Sequence, residues 1–426
     1  MHLSGTGRRA AMLRRPEVVW GLAALFYFVA LFHRMSLGVA ALDAQERFGI
    51  AAATLGVFAA LQLGLYLAMQ IPAGLAADRI GPRRTLALGL ALMCTGEMVF
   101  ALAQSLPAGL VGRGLIGVGD AFIFLNVLRL AQNWFPARRY GLLSALAGVA
   151  GALGQVLTTV PLGAALDGIG WTPTFATSAL VTAALVVLCL TVVRDHPAGT
   201  GGAAPVAHAR IIPTLRETWR VPATQLAFWL HFVLMGTFVS VTALWGYPFL
   251  VQGEGIAPAT ARADLLVAVV AFGAGAPLLG LLVGRVPAHR ITILAGLGAL
   301  VTALWGVSLL WPGGAPHALL VATFAATGAG GGAGLLAFDI ARAANPAARG
   351  GAASGLVNLG GFSSAVAAQP AVALLLALVD ESLLRVAMWP LVSLGALATV
   401  MAVRHALRIA APTATPPANR GAARPA

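Results

Sequence analysis

The chain has 426 residues, of which 59% are hydrophobic and 10% charged, with a net charge of +13. A soluble domain carries about 25% charged residues, so this much apolar surface must face lipid, and a soluble globular protein is excluded. The basic residues, all arginine, fall between apolar runs and are not clustered with aromatics on polar segments, which argues against a nucleic-acid surface and for membrane topology.

Residues 1–17 form a basic N-terminus. The apolar run that follows, 18–41, is too long for a secretory signal, and more spans come after it. It reads as the first transmembrane helix. Eleven further runs are about 20 residues or longer: 52–76, 85–104, 108–132, 141–165, 171–193, 224–250, 262–284, 291–311, 316–340, 352–378 and 384–404. Lipid offers no partner to free backbone groups, so helices are the only economical structure for them. Six spans in 18–193 are separated from six in 224–404 by a linker, 194–223. It carries HPAGTGGAAP and then Arg216, Trp219 and Arg220, the pattern of a flexible segment followed by an interfacial helix. The tail 405–426 is rich in Pro, Ala, Thr and Arg, and disorder is expected.

The arginines orient the chain. Twenty-one lie before the first span, in every second loop or in the tail; three, Arg47, Arg262 and Arg385, lie on the other side. Both termini are therefore expected in the cytoplasm. Three more, Arg34, Arg113 and Arg129, fall within spans.

Two loops repeat. Gly74 to Arg84 reads GLAADRIGPRR, and Gly280 to Arg290 reads GLLVGRVPAHR, so that Gly74 matches Gly280, Arg79 matches Arg285 and Arg84 matches Arg290. Phe135 to Ser144, FPARRYGLLS, likewise matches Asn345 to Ser354, NPAARGGAAS, at nearly the same offset. A chain with two such pairs is two related halves. The first loop, with Asp78, Gly81, Pro82, Arg83 and Arg84, closely resembles the loop between helices two and three of the major facilitator superfamily.

That resemblance covers about residues 18–405. It implies an all-α membrane protein, the MFS fold, with twelve transmembrane helices in two six-helix pseudo-symmetric bundles that rock around a midplane site. It implies a gating role for Gly74, Asp78, Arg79, Gly81, Arg83, Arg84 and Arg285, with Asp78 latching the halves on the cytoplasmic side. Gly284 replaces the acid in the second copy, so the latch is expected on one side only.

Intramembrane charges are costly and face a wet cavity or a partner. Helix four holds Arg113, Asp120 and Arg129 in GRGLIGVGDAFIFLNVLRLAQNWFP. Arg113 with Gly114, Gly117 and Gly119 resembles the family's energy-coupling motif; a structural ion pair is the other reading. Arg113 and Asp120 share a helix face and are placed to pair, whereas Arg129 lies roughly opposite. Arg34, in FHRMSLGVA, resembles the helix-one arginine of the anion–cation symporters and organophosphate exchangers. Arg129, seven residues before Pro136, matches the symporters' helix-four arginine. Guanidinium forks bind planar oxyanions, so Arg34 and Arg129 are candidates for an anion; structural pairing or snorkelling to the interface is the alternative. Where the symporters commonly have an acid before the arginine, this chain has His33, a residue type able to take part in proton coupling, or else a polar helix-end residue. The exchangers' helix-seven arginine is absent, with His231 the nearest residue.

Glu97 joins Arg113 and Asp120 as a coupling candidate. With Arg34, Arg129, His33 and His231, the residues Tyr66, Asn126, Gln155 and Asn358 complete the candidate substrate set, although helix–helix hydrogen bonds account for most such residues. Asp339 is expected to meet Arg342 on the next turn. Gly148, Gly151 and Gly154 in helix five read as a packing seam, and the Gly-Pro pair of the drug–proton antiporters is missing there. Cys94 and Cys189 read as small buried hydrophobes. No GK[ST] phosphate loop, metal-spaced cluster or nucleophile elbow occurs, so neither ATP, a cofactor, a metal nor enzymatic chemistry is expected. The expectation is a monomeric secondary transporter in a bacterial inner membrane, with the lipid bilayer, protons and a small organic anion as its partners, the anion taken up by proton symport. The alternative is an exporter of drugs or amphipathic metabolites by proton antiport.

Overall fold

The computed structural model describes residues 15–197, 211–346, 349–379 and 383–410. The first fourteen residues, the middle of the linker and the tail beyond 410 lie outside the described residues, as does the side chain of Asp78.

Each of the twelve apolar runs is a helix long enough to cross a membrane. They are α1 Pro16–Val39, α2 Ala52–Ile80, α3 Pro82–Leu102, α4 Leu106–Trp134, α5 Ala137–Ile169, α6 Trp171–Val192, α7 Pro222–Gly253, α8 Pro258–Arg285, α9 Pro287–Leu310, α10 His317–Ala343, α11 Gly350–Leu378 and α12 Leu384–Ala410. Proline stands at the start of many of them, where its missing N–H costs nothing. A short amphipathic helix, Ala41–Phe48, joins α1 to α2, and another, Ile211–Trp219, precedes α7 at the expected interfacial position.

Several helices are interrupted inside the bundle. α4 breaks at Phe122–Ile123, directly after Asp120. α5 breaks at Thr158–Thr159. α7 carries two π-helical turns, Val241–Trp245 and Phe249–Gly253. Such departures in membrane helices belong where neighbouring protein, not lipid, surrounds the backbone.

The cores show how the halves meet. At the end bearing both termini, each half has its own apolar core: Val19, Phe26, Leu90, Val127 and Leu185 in the first, Leu226, Leu230, Ile340, Val357 and Ala398 in the second. At the opposite end one core spans both halves, joining Leu55, Phe58, Phe100 and Phe175 to Trp245, Phe249, Trp305 and Phe324. A smaller cluster bridges the middle through Met35, Tyr66, Phe238 and Phe362. The molecule is therefore sealed at the end away from the termini.

Small residues allow that seal. Gly38 of α1 lies against the Thr242 carbonyl of α7, with no room for a side chain. Between α5 and α8, Arg262 donates to both carboxylate oxygens of Asp167, one at 2.9 Å. Arg262 also lies 5.8 Å from the Tyr247 ring centre.

The three arginines that break the charge asymmetry are all engaged. Arg47 donates to the Ala103 carbonyl at 2.7 Å and to Thr172, capping α3. Arg262 holds Asp167. Arg385 pairs with Glu254 at 3.0 Å and donates to the Ser308 and Trp311 carbonyls at the end of α9.

Candidate functional site

The buried charges gather on the inner face of the first half. Arg34 is 4% exposed and Asp120 1% exposed. Arg34 Nε lies 2.6 Å from Asp120 Oδ2, and a terminal nitrogen lies 2.8 Å from Oδ1. This bidentate fork is the strong geometry for a guanidinium–carboxylate pair. It corrects the expected pairing of Asp120 with Arg113. Spacing along α4 favoured the local partner, but the break after Asp120 and the approach of α1 bring Arg34 closer.

Arg113 instead supports α1. It donates to Ser36 Oγ at 3.0 Å and to the Arg34 carbonyl at 3.4 Å, and lies 5.1 Å from the Phe100 ring centre. The glycines beside it let α4 sit against its neighbours: Gly119 faces the Gly89 carbonyl of α3 with no space for a side chain.

Arg34 also reaches the second half. Its guanidinium lies 4.4 Å from the Tyr66 ring centre and 5.3 Å from that of Phe362 on α11. Tyr66 shares a side-chain hydrogen bond with Asn358, also on α11. Arg34 thus sits where the two halves meet, with a carboxylate on one side and aromatic faces on the other.

A void of about 10 Å³ lies beside Met35, the next residue of α1, with room for about one water molecule. It is lined by Met35, Gln155, Thr158, Thr159, Thr242 and Leu265. The three threonine hydroxyls donate to carbonyls of their own helices, at 2.6, 2.6 and 2.8 Å. Their oxygens remain free to accept. Gln155 Oε1 is buried without a hydrogen-bond partner among the described residues. The void is therefore an acceptor end, one residue along α1 from the donor fork of Arg34.

The Major Facilitator Superfamily model matches residues 23–370. The chain belongs to the major facilitator superfamily. A putative tartrate transporter of Agrobacterium vitis is 28% identical over 179 residues, covering 41% of this chain and 41% of the relative. A hexuronate transporter of Bacillus subtilis (strain 168) is 25% identical over 203 residues, covering 44% of this chain and 46% of the relative. The matches thus span less than half the length of these relatives. A solved D-xylose-proton symporter shares the fold, with a TM-score of 0.68 at 16% identity over 90% of this chain and 96% of that one.

Among its described residues, this member of the superfamily has twelve helices long and apolar enough to cross a membrane. Its structure brings together Arg34, Asp120, Arg113, Tyr66 and Asn358, with Gln155 nearby. His33 points elsewhere, toward Glu97 and Thr182 inside the first half. His231 is held within the second half by the Gly334 carbonyl at 3.0 Å. Asn126 donates to the Phe122 carbonyl at 2.7 Å and braces the α4 break. Arg129 is half-buried, nine residues beyond Asp120.

In the signature loop, Gly81 adopts a φ of +83°, a conformation that favours glycine. The Arg83 backbone N–H donates to Asp195 Oδ1 at 2.6 Å, and the Arg83 side chain donates to the Leu190 carbonyl. Gly74 is half-buried, while Arg79, Arg84 and Arg285 are exposed. Asp195 was not singled out by sequence, since it follows α6 at the start of a linker and only the fold brings it under α3. Asp339 meets Arg342 at 3.5 Å, as the spacing predicts.

Proposed function

We propose that this transporter carries a small hydroxylated organic anion into the cell with protons, binding its carboxylate at Arg34. The observation that carries this reading is the position of Arg34: a buried guanidinium fork that touches both halves. Asp120 occupies the fork. An incoming carboxylate competes for the same donors, so binding rearranges a contact at the junction that must move.

The acceptor end supports hydroxylated substrates. Hydroxyl groups can donate to Gln155 Oε1 and to the threonine oxygens, while the carboxylate accepts from Arg34. A tartrate transporter and a hexuronate transporter among the relatives are consistent with this substrate class.

With the termini in the cytoplasm, the separate cores lie on the cytoplasmic side and the shared core on the outer side. The conformation is then inward-facing. Buried titratable groups beside Arg34 favour coupling to protons. The expected setting is a bacterial inner membrane.

Uptake of labelled D-glucuronate into proteoliposomes tests the reading. The wild type should accumulate it under an inward proton gradient, and Arg34→Gln should not. Equal uptake by the variant contradicts the assignment.

A further inference from the structure

Arg34 and Asp120 leave two neighbouring buried groups without a task, His33 and Glu97. Both side chains have no exposure. His33 Nδ1 lies 3.1 Å from Glu97 Oε1 on α3, an ion-pair contact and not an aligned hydrogen bond. His33 Nε2 lies 2.8 Å from Thr182 Oγ1 on α6. Ser178 Oγ lies 2.9 Å from the same Glu97 oxygen. Thr182 Oγ1 also lies 2.9 Å from the Ser178 carbonyl of its own helix. The threonine hydroxyl therefore has two acceptors in reach and one hydrogen to give.

That choice accommodates two protonation states. With His33 neutral, Nδ1–H lies beside the Glu97 carboxylate and Thr182 donates to Nε2. With His33 protonated, Nε2–H donates to Thr182 Oγ1, and the hydroxyl hydrogen turns to the Ser178 carbonyl. No heavy atom has to move, and no partner is lost. The added charge faces Glu97, where an ion-pair contact strengthens.

Charge accounting links this proton to the anion. His33 itself contacts Glu97 on α3 and the Thr182 hydroxyl on α6, with Ser178 on the same Glu97 oxygen; the other charges around it are the adjacent Arg34, its partner Asp120, and Arg113, which donates to the Arg34 carbonyl. Arg113 is close enough for both Glu97 and Asp120 to act on it. Two guanidinium groups balance two carboxylates while His33 is neutral. A proton on His33 leaves one net positive charge, and a monocarboxylate at Arg34 cancels it. Net charge inside a membrane bundle is costly. The empty unprotonated protein and the doubly loaded protein are both neutral, while either singly loaded form is charged.

We propose that His33 carries the coupling proton, held by Glu97 and Thr182, and that one proton moves with each monocarboxylate. The proton comes from water on one side and returns to water on the other; only the Nε2–H bond forms and breaks. This rests on the anion reading of Arg34.

Full-length protein in proteoliposomes, probed with D-glucuronate, separates the two claims. Counterflow at equal pH reports anion exchange, and accumulation under a pH gradient reports coupling. His33→Gln should keep counterflow and lose accumulation. Thr182→Val removes the acceptor of Nε2–H and should displace the pH profile of accumulation toward acid. Wild-type accumulation should be insensitive to a clamped membrane potential. Proton-driven accumulation that survives in His33→Gln overturns the proposal. Loss of counterflow in both His33→Gln and Glu97→Gln also overturns it, because the pair is then structural. Wild-type uptake indifferent to pH overturns it while leaving Arg34 in place. A wild type that does not move D-glucuronate, together with an Arg34→Gln variant that binds it no less well, counts against the anion reading instead.

Discussion

Arg34 and Asp120 lie on different helices, yet they form a two-point pair with contacts of 2.6 and 2.8 Å at the junction of the two halves. The pair is nearly inaccessible, and the Tyr66 and Phe362 rings flank the guanidinium. A buried pair of this kind is weak evidence for stability, because desolvation offsets much of the attraction. It makes better sense as a contact to be exchanged.

Arg34→Lys should separate charge from geometry. Lysine keeps the positive charge but lacks the planar fork. Affinity for D-glucuronate should fall at least tenfold, about 1.4 kcal/mol, while the protein remains folded. Isothermal titration and the monodispersity of the purified variant check both points.

Asp120→Asn removes the competitor for the fork. The variant should be less stable by about 3 kcal/mol, since a buried charge loses its partner. It should also bind a monocarboxylate more tightly than the wild type and transport it more slowly. Unfolding with and without D-glucuronate, followed by an uptake assay, reads all three effects.

Much of the fold was legible because it depends on run length and charge placement. Twelve long apolar stretches can do little else in lipid, and the two repeated loops gave the two halves. The exceptions among the arginines needed the structure: Arg47, Arg262 and Arg385 are fixed by partners distant in the chain. The site was legible in composition but not in pairing. Spacing along a helix shows only which residues share a face. It offered Arg113 to Asp120 and could not see α1 bring in Arg34. It also placed His33 beside the substrate, although the turn of α1 directs that ring to α3 and α6. The breaks in α4 and α5 and the π turns of α7 carry no plain sequence mark, because they depend on the helices packed around them.

The seal at the end away from the termini should yield to a single change. Arg262→Ala frees Asp167 and opens the contact between α5 and α8. In a background lacking Cys94 and Cys189, a cysteine placed at Thr159 should then react faster with a membrane-impermeant thiol reagent. Labelling rates with and without Arg262→Ala provide the check.

Arg385→Ala should destabilise without touching transport chemistry. It removes the ion-pair partner of Glu254 and the donor to the carbonyls ending α9, a cost of about 1–3 kcal/mol. Thermal unfolding should shift down, while the affinity for D-glucuronate stays at the wild-type value.

The most direct test of the central claim is the thermal stability of the purified protein against carboxylates, sugar acids, phosphates and lipophilic cations. A ligand that binds only the folded state raises apparent stability by mass action. The account predicts that a hydroxylated carboxylate stabilises the wild type and that the shift disappears in Arg34→Gln. Stabilisation by lipophilic cations alone, unchanged in Arg34→Gln, would contradict it.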